Sequence, residues 1–220
     1  MSGSGLFTKE SAAIPHLSDG EVKDLRGDVA RTFLPMAAIS VEEFTNPAAG
    51  GAAVLLAATA SVAAPVTVLA AGLLAPGLAI LAAQPRNITF TTAGGTAADA
   101  PATALITGTD RDGKAQTETV TLAQTATIAT GVKLFKTIVS IVYPAADGTG
   151  ATVSIGIGNA MPLPKTPKSR AGAALPIREI VDGALVTTGA IDATNKSYTP
   201  ATAPNGTHDY AVFYEYDPTV

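Results

Sequence analysis

Cysteine and tryptophan are both missing from this chain of 220 residues, and aromatic side chains make up only 5% of it. Without cysteine, disulfide bonds and thiolate metal sites are excluded. Small secreted domains often depend on disulfides, so a cysteine-free chain fits assembly in the cytoplasm. The first residues, Met1 to Lys9, are rich in serine and glycine and lack the apolar core of a secretory signal.

Charged residues are scarce as well, at 15% of the chain with a formal net charge of −4. The basic residues are scattered, apart from a small group formed by Lys165, Lys168 and Arg170. A nucleic-acid-binding protein usually shows a concentrated basic face. We therefore expect no nucleic-acid partner.

The most apolar stretch, residues 48–83, is long enough for a transmembrane helix, but Pro65, Gly72, Pro76 and Gly77 interrupt it. Prolines in a spanning helix would leave backbone groups unpaired in lipid, so we expect no membrane partner.

Within that stretch, alanine favours helix, whereas valine and threonine favour strand. Residues 52–61 fit either a helix or a strand. Residues 65–71, which contain Val66, Thr67 and Val68, are predicted to form a strand.

Residues 1–50 resemble an extended arm more than part of a core. Ser18 and Glu21 have the spacing of a capping box, which predicts the start of a helix, and Pro35 ends the pattern. The apolar residues of this helix form one stripe: Val22, Leu25, Val29 and Phe33. A single stripe has no local partner, so we expect it to contact the chain's own β domain or a neighbouring subunit.

A second capping pattern, Ser40 with Glu43, predicts a short helical turn that stops before Asn46 and Pro47.

The segment from Arg86 to Gly158 has a consistent strand pattern. Short runs of alternating polar and apolar residues are separated by turns, one of them at residues 109–114 with Gly113 available for positive φ. The predicted strands are 87–91, 102–108, 117–122, 127–130, 136–143 and 152–157. In the last of these, one face should be buried. Several short strands with turns between them predict a β-sandwich over residues 51–159.

The C-terminal part begins with a proline-rich connector at residues 160–176, followed by a β-rich segment at 177–220. Weaker strand patterns cover 177–188, and Tyr210–Tyr216 is a clear strand. Its alternate side chains Tyr210, Tyr214 and Tyr216 share one face and are candidate partner contacts. Aromatic residues are ordinary in strands, so packing at a sheet face or subunit interface is favoured over a sugar-binding platform.

The chain offers little catalytic chemistry. His16 and His208 are the only histidines, they lie near opposite ends, and no metalloprotease, serine-hydrolase or P-loop motif occurs. Residues 110–113 resemble the start of a calcium loop, but the twelfth position holds Thr121, so a hairpin turn explains them better. We predict no catalytic, cofactor or metal site, and expect that the chain is not an enzyme.

The segment from about Pro85 to Gly158 resembles an immunoglobulin-like β-sandwich module common in virion proteins of tailed bacteriophages. The resemblance rests on the opening Pro-Arg-Asn-Ile-Thr-Phe, the hairpin Ile-Thr-Gly-Thr-Asp-Arg-Asp-Gly-Lys and the closing Thr-Val-Ser-Ile-Gly-Ile-Gly. Thr-Glu-Thr-Val-Thr-Leu and Phe-Lys-Thr-Ile-Val-Ser-Ile lie between them. It implies a mainly β fold with a partly helical N-terminal arm and a β-rich C-terminal extension.

The resemblance also implies a structural role in a virion assembled in the host bacterial cytoplasm. Its partners would be other virion proteins, such as the major capsid protein or neck and tail proteins, and further copies of itself. We expect a capsid decoration or cement protein that acts through many subunit contacts. A neck, collar or tail component is the first alternative. A receptor- or carbohydrate-binding module, using the tyrosine face or the Arg26-Gly27-Asp28 tripeptide, is the second.

Overall fold

The computed structural model describes residues 38–94, 99–122, 127–146, 150–168, 176–187 and 189–216. Residues Ile39–Tyr216 form one compact unit. The predicted helix with its apolar stripe, and the Arg26-Gly27-Asp28 tripeptide, lie outside the described residues.

The described part of the chain is mainly β. Its strands, in chain order, are β1 (Ala38–Phe44), β2 (Gly51–Ala60), β3 (Val66–Leu69), β4 (Ile88–Ala93), β5 (Thr103–Thr109), β6 (Ala115–Thr121), β7 (Ile128–Thr130), β8 (Thr137–Tyr143), β9 (Thr152–Ile157), β10 (Met161–Pro162), β11 (Pro176–Val181), β12 (Ala184–Val186), β13 (Ala190–Asp192), β14 (Ser197–Thr199) and β15 (Tyr210–Tyr216). A 3-10 turn at Ala70–Gly72 and a helix α1 at Ala75–Ala83 stand between β3 and β4.

The strands form four sheets. Sheet I has the order β2-β9-β4-β7, sheet II β3-β8-β5-β6, sheet III β1-β15-β11-β12 and sheet IV β10-β14-β13. Sheets I, II and IV are antiparallel throughout, and so are both pairings of β11 in sheet III.

Sheets I and II contribute side chains to one hydrophobic core, called here the first core. Sheet I supplies Val153, Ile155 and Ile157 from β9, and sheet II supplies Ile138 and Ile141 from β8. The predicted burial of one face of the strand at 152–157 is confirmed, because these three residues are at most 5% exposed. Ser154 and Gly156 on the opposite face of β9 are buried as well, so both faces of this central strand are covered.

A second core belongs to sheets III and IV. Its members come from both sides of the first core in sequence: Phe44, Met161, Leu163, Val181, Tyr198, Tyr210, Val212 and Tyr214. The chain therefore starts the second core with β1, builds β2–β9, and returns to complete the second core. It crosses between the two cores at residues 45–50 and 158–160.

The alanine-rich stretch resolves into strand and helix. Of residues 52–61, which fitted either structure, 52–60 belong to β2. The predicted strand at 65–71 is present in part as β3 (Val66–Leu69), and the 3-10 turn begins at Ala70. Helix α1 was not predicted. Pro76 lies in its first turn, where a missing N–H costs nothing, and Leu81 is buried in the first core. Among the described residues, no helix is long and apolar enough to cross a membrane.

The predicted helical turn at Ser40–Glu43 is wrong, because these residues lie inside β1. Exposure alternates along β1, and its last residue, Phe44, is 5% exposed in the second core. Packing of Phe44 and pairing with β15 therefore outweigh the capping pattern. This strand lies within the segment predicted as an N-terminal arm.

The C-terminal segment contains more strands than the sequence indicated. The clear strand at 210–216 is confirmed as β15, and the weaker pattern at 177–188 corresponds to β11 and β12. Strands β10, β13 and β14 were missed. Each has only two or three residues, which is too short for an alternating pattern.

Replacing Ile155 with aspartate should unfold the compact unit. Ile155 is 0% exposed and pairs with Phe90 and Leu56 in sheet I, so the new carboxylate would be buried without a partner. Such burial costs several kcal/mol, against roughly 5–15 kcal/mol for the stability of a whole domain. Thermal unfolding followed by circular dichroism measures the effect.

The matched control is Ile128→Asp, because Ile128 lies in β7 of the same sheet but is 59% exposed. It should leave the melting temperature nearly unchanged. A folded Ile155→Asp protein, or equal losses in the two variants, would contradict the strand assignment.

Candidate functional site

The predicted partner-contact residues separate into two groups. Val22, Leu25, Val29 and Phe33 lie outside the described residues. The three tyrosines lie on β15, where Tyr210 is 2% and Tyr214 is 0% exposed. These two side chains pack in the second core, so they do not offer a surface to a partner.

Tyr216 differs from the other two, because it is half-buried at the end of β15. The ammonium group of Lys165 lies 5.7 Å from the centroid of its ring, and its backbone forms an isolated bridge with Pro167. Residues of the predicted connector are thus held against the second core. Of the three tyrosines, only Tyr216 is partly exposed.

The buried tyrosines use their hydroxyl groups inside the protein. The Tyr210 hydroxyl donates to the carbonyl of Thr202 at 3.0 Å, and the Tyr214 hydroxyl accepts from the backbone N–H of Lys165 at 3.3 Å. Burial raises the pKa of both phenols. Buried tyrosines usually find such partners.

A carboxylate is buried in the second core beside a third tyrosine. Glu179 is 0% exposed, and its Oε2 accepts from the backbone N–H of Gly189 at 2.7 Å. Burial raises the pKa of Tyr198, and the neighbouring Glu179 carboxylate raises it further. The phenol therefore stays protonated, and this end of the second core contains buried polar groups.

The two chain crossings meet at one buried cation. Arg86 is 0% exposed, and its Nη1 donates to the carbonyl of Asn159 at 3.2 Å while its Nη2 donates to that of Ala48. Its own backbone is fixed by reciprocal hydrogen bonds with Phe135 at 3.2 and 2.8 Å. Burial lowers the pKa of Arg86 to about 10, so it remains charged at neutral pH.

Asn87 continues this junction. Its Nδ2 donates to the carbonyl of Gly131 at 3.0 Å, and its Oδ1 accepts from the backbone N–H of Ala160 at 3.0 Å. Gly158 packs against the same side chain, since a Cβ there would lie 2.4 Å from Asn87 Oδ1. Arg86 and Asn87 together hold both crossings by hydrogen bonds to backbone atoms.

Sequence reasoning missed this junction. Arg86 stands between a proline and a strand, and a single arginine in such a position resembles an ordinary surface charge. Nothing in the local pattern shows that Ala48 and Asn159, far apart in sequence, place their carbonyls on either side of it.

The turn at residues 109–114 is a hairpin turn, as predicted. Asp110 Oδ1 accepts from the backbone N–H groups of Asp112 and Lys114, both at 2.9 Å, and Gly113 has a φ of 80°. The carboxylate thus stabilises the turn. Among the described residues there is no group of three or more acidic or histidine side chains that could hold a metal ion.

His208 forms a pair with Asp182. Its Nδ1 lies 2.5 Å from Asp182 Oδ2, and Asp182 Oδ1 accepts from the backbone N–H of Asp209 at 2.8 Å. The Asp209 N–H and the imidazole hold the pKa of the Asp182 carboxyl below its usual range. Asp182 has a φ of 50°, so this pair supports a tight turn between β11 and β12.

Two clefts lie beside these features. A cleft of about 450 Å³ adjoins the junction and has an uncharged lining that includes Asn87, Thr89, Thr130 and Asn159. A cleft of about 270 Å³ adjoins the hairpin turn, with charged residues Asp110, Arg111, Asp112, Lys114, Lys133 and Lys196 in its lining. Neither lining contains a histidine.

The surfaces of the sheets expose large aliphatic side chains. In sheet III, Ile39 and Val41 of β1 are 61% and 46% exposed. In sheet II, Leu69, Leu105 and Val139 are 59%, 40% and 56% exposed. Single exposed aliphatic residues are common, whereas sheet II exposes three of them.

Comparison of the chain with protein-family models, with curated proteins and with solved structures finds no match.

Replacing Arg86 with alanine should lower the free energy of unfolding by about 3 kcal/mol, because two hydrogen bonds from a charged donor are lost and a space is left. Arg86→Lys should recover only part of this loss, since one ammonium group cannot reproduce the fork that reaches both carbonyls. Urea denaturation provides the measurement.

Arg178→Ala is the control, because Arg178 is exposed on β11. It should cost less than about 0.5 kcal/mol. A loss in Arg86→Ala no larger than in this control would show that the junction does not stabilise the fold.

The fold should lose stability steeply in alkaline solution. Burial raises the pKa of Tyr143, Tyr198, Tyr210 and Tyr214 above the ordinary value of a tyrosine. The folded state holds these phenol protons more tightly than the unfolded chain does. Each raised pKa therefore contributes stability that is fully present below pH about 10 and is lost as the pH rises through the folded-state pKa values.

Phenolate absorbance and circular dichroism, recorded together against pH, check this expectation. Ionisation of most tyrosines should coincide with unfolding. Complete ionisation of the tyrosines in a protein that remains folded would contradict the burial of these side chains.

Proposed function

We propose that the chain is a non-enzymatic structural subunit of a tailed-phage particle, and within that class a capsid decoration or cement protein. We also infer that sheets I and II pack face to face as an immunoglobulin-like β-sandwich. Their shared first core supports this inference, since residues from both sheets contribute to it. A rigid β body of this kind is suited to present fixed surfaces to neighbours.

The observation that carries the proposal is the exposure of aliphatic side chains on the surfaces of sheets II and III. Ile39, Leu69 and Val139 are each more than half exposed, although buried positions elsewhere in these sheets are well packed. Exposed apolar clusters of this kind are covered by partners in assembled proteins. An adhesive subunit needs such surfaces and needs no catalytic centre.

The mechanism would be multivalent attachment. A single subunit contact of modest area binds weakly, but many symmetric copies on one particle bind with high avidity. The receptor- or carbohydrate-binding alternative loses much of its basis, because Tyr210 and Tyr214 are buried. A neck or tail position stays open as the alternative within the same class.

The test is to purify particles from a producing culture and to measure the copy number of this chain by quantitative mass spectrometry. We expect on the order of hundreds of copies per particle for a lattice-bound decoration protein, whereas about a dozen would indicate the neck. Particles that lack the chain would contradict the virion role.

A truncation tests the arm without disturbing sheet III. Deletion of residues 1–36 retains β1, so the protein should keep its melting temperature but fail to enter particles. The Ile128→Asp variant, which alters an exposed side chain of sheet I, serves as the full-length control. Normal incorporation of the truncated protein would show that the arm makes no essential contact.

A further inference from the structure

The outward face of sheet II carries hydroxyl and aliphatic side chains and no charge. We call it the threonine face. Its inward neighbours, such as Ile106 and Ile138, belong to the first core, so alternate residues point away from that core. The threonine face consists of Thr67, Leu69, Thr103, Leu105, Thr107, Thr109, Ala115, Thr117, Thr119, Thr121, Thr137, Val139, Ser140 and Val142.

The strand register arranges these side chains in rows that run across all four strands. One row is Thr67, Val142, Leu105 and Thr119. The next row is Leu69, Ser140, Thr107 and Thr117. Directly opposite side chains in a sheet touch one another, so each row is a continuous strip of methyl and hydroxyl groups.

A neighbouring pair shows how the hydroxyl groups behave at the edge of this face. Thr109 Oγ1 and Thr137 Oγ1 lie 2.7 Å apart and share a hydrogen bond across β5 and β8. The charged side chain of β6 points the other way. Glu118 accepts from the backbone N–H groups of Val132 and Lys133, so it leaves the threonine face uncharged.

The lack of charge argues against a charged partner surface. Depletion of charged residues distinguishes the centre of a protein interface from the rest of a surface. A charged partner group would be desolvated here without an opposite charge, which costs free energy. A second copy of the same uncharged face satisfies this requirement, and a two-fold axis would bring equivalent rows together.

The size of the face sets the strength of the contact. Three strands of seven residues and one of four, about 4.8 Å apart and rising about 3.3 Å per residue, span roughly 400 Å². A standard stable interface buries about 800 Å² on each partner. One pair of faces therefore gives a weak association, which becomes strong only when many copies are held together.

We propose that two copies of this chain associate through their threonine faces, weakly and without dependence on salt. This deepens the proposed structural role by naming its subunit contact surface, and it is tested on the isolated full chain, without particles. Failure of the particle experiment and failure of this experiment can therefore be told apart.

The test is sedimentation velocity of the full chain over a wide range of concentrations, at low and high ionic strength. We expect the average sedimentation coefficient to rise with concentration and to be the same at both ionic strengths, since screening acts on charged contacts.

The variant Thr67→Lys/Thr119→Lys places a charge at each end of one row. Both residues are exposed, so the fold should be unaffected, and the association should weaken by at least about tenfold, because four lysines would be desolvated in each pair. Thr67→Ser/Thr119→Ser keeps the face uncharged and should retain the association. Thr59→Lys/Thr202→Lys adds the same charge at exposed positions outside this face and should also retain it.

A wild-type protein that stays monomeric at the highest concentration would overturn the proposal. So would association that is lost at high salt, or that is equally strong in Thr67→Lys/Thr119→Lys with an unchanged melting temperature. In the last two cases copies would associate through a different surface.

Discussion

One buried guanidinium group connects the two places where the chain passes between its cores. Arg86 donates to the carbonyls of Ala48 and Asn159, and each of these residues lies in a different crossing. A buried charge is costly to leave without partners, so both carbonyls are held in position by the same side chain. Asn87 adds hydrogen bonds to the second crossing and to Gly131. Two consecutive residues immediately before β4 therefore link the two crossings between the first and second cores.

The order of the chain explains why this junction matters. β1 precedes the first core and its neighbour β15 ends the described chain, so sheet III unites segments that are far apart in sequence. Closing such a long loop is entropically unfavourable unless the intervening chain is already folded. Once β2 to β9 have paired, residues 45–50 and 158–160 lie side by side at Arg86. The first core thus brings together the strands that complete the second.

The local sequence pattern predicts those strands that are long enough to show an alternation of polar and apolar residues. β9 and β15 were predictable because period-two alternation is a property of neighbouring residues. The helical turn predicted at Ser40–Glu43 was wrong because a capping pattern is weaker than the packing of Phe44. Strands β10, β13 and β14 were missed because they are too short to show a period. The tyrosines of β15 do share a face. Whether that face points to a core or to a partner depends on how strands that are distant in sequence pack against it. Arg86 gave no local signal for the same reason.

Threonine gives the outward face of sheet II properties that neither charged nor purely aliphatic residues combine. Its hydroxyl group keeps an uncovered face hydrated, whereas its methyl group contributes apolar area when the face is covered. A face of leucine and valine alone would favour aggregation of free subunits, and a charged face would resist being covered. The threonines of this face therefore combine the two properties that the proposed contact between copies requires.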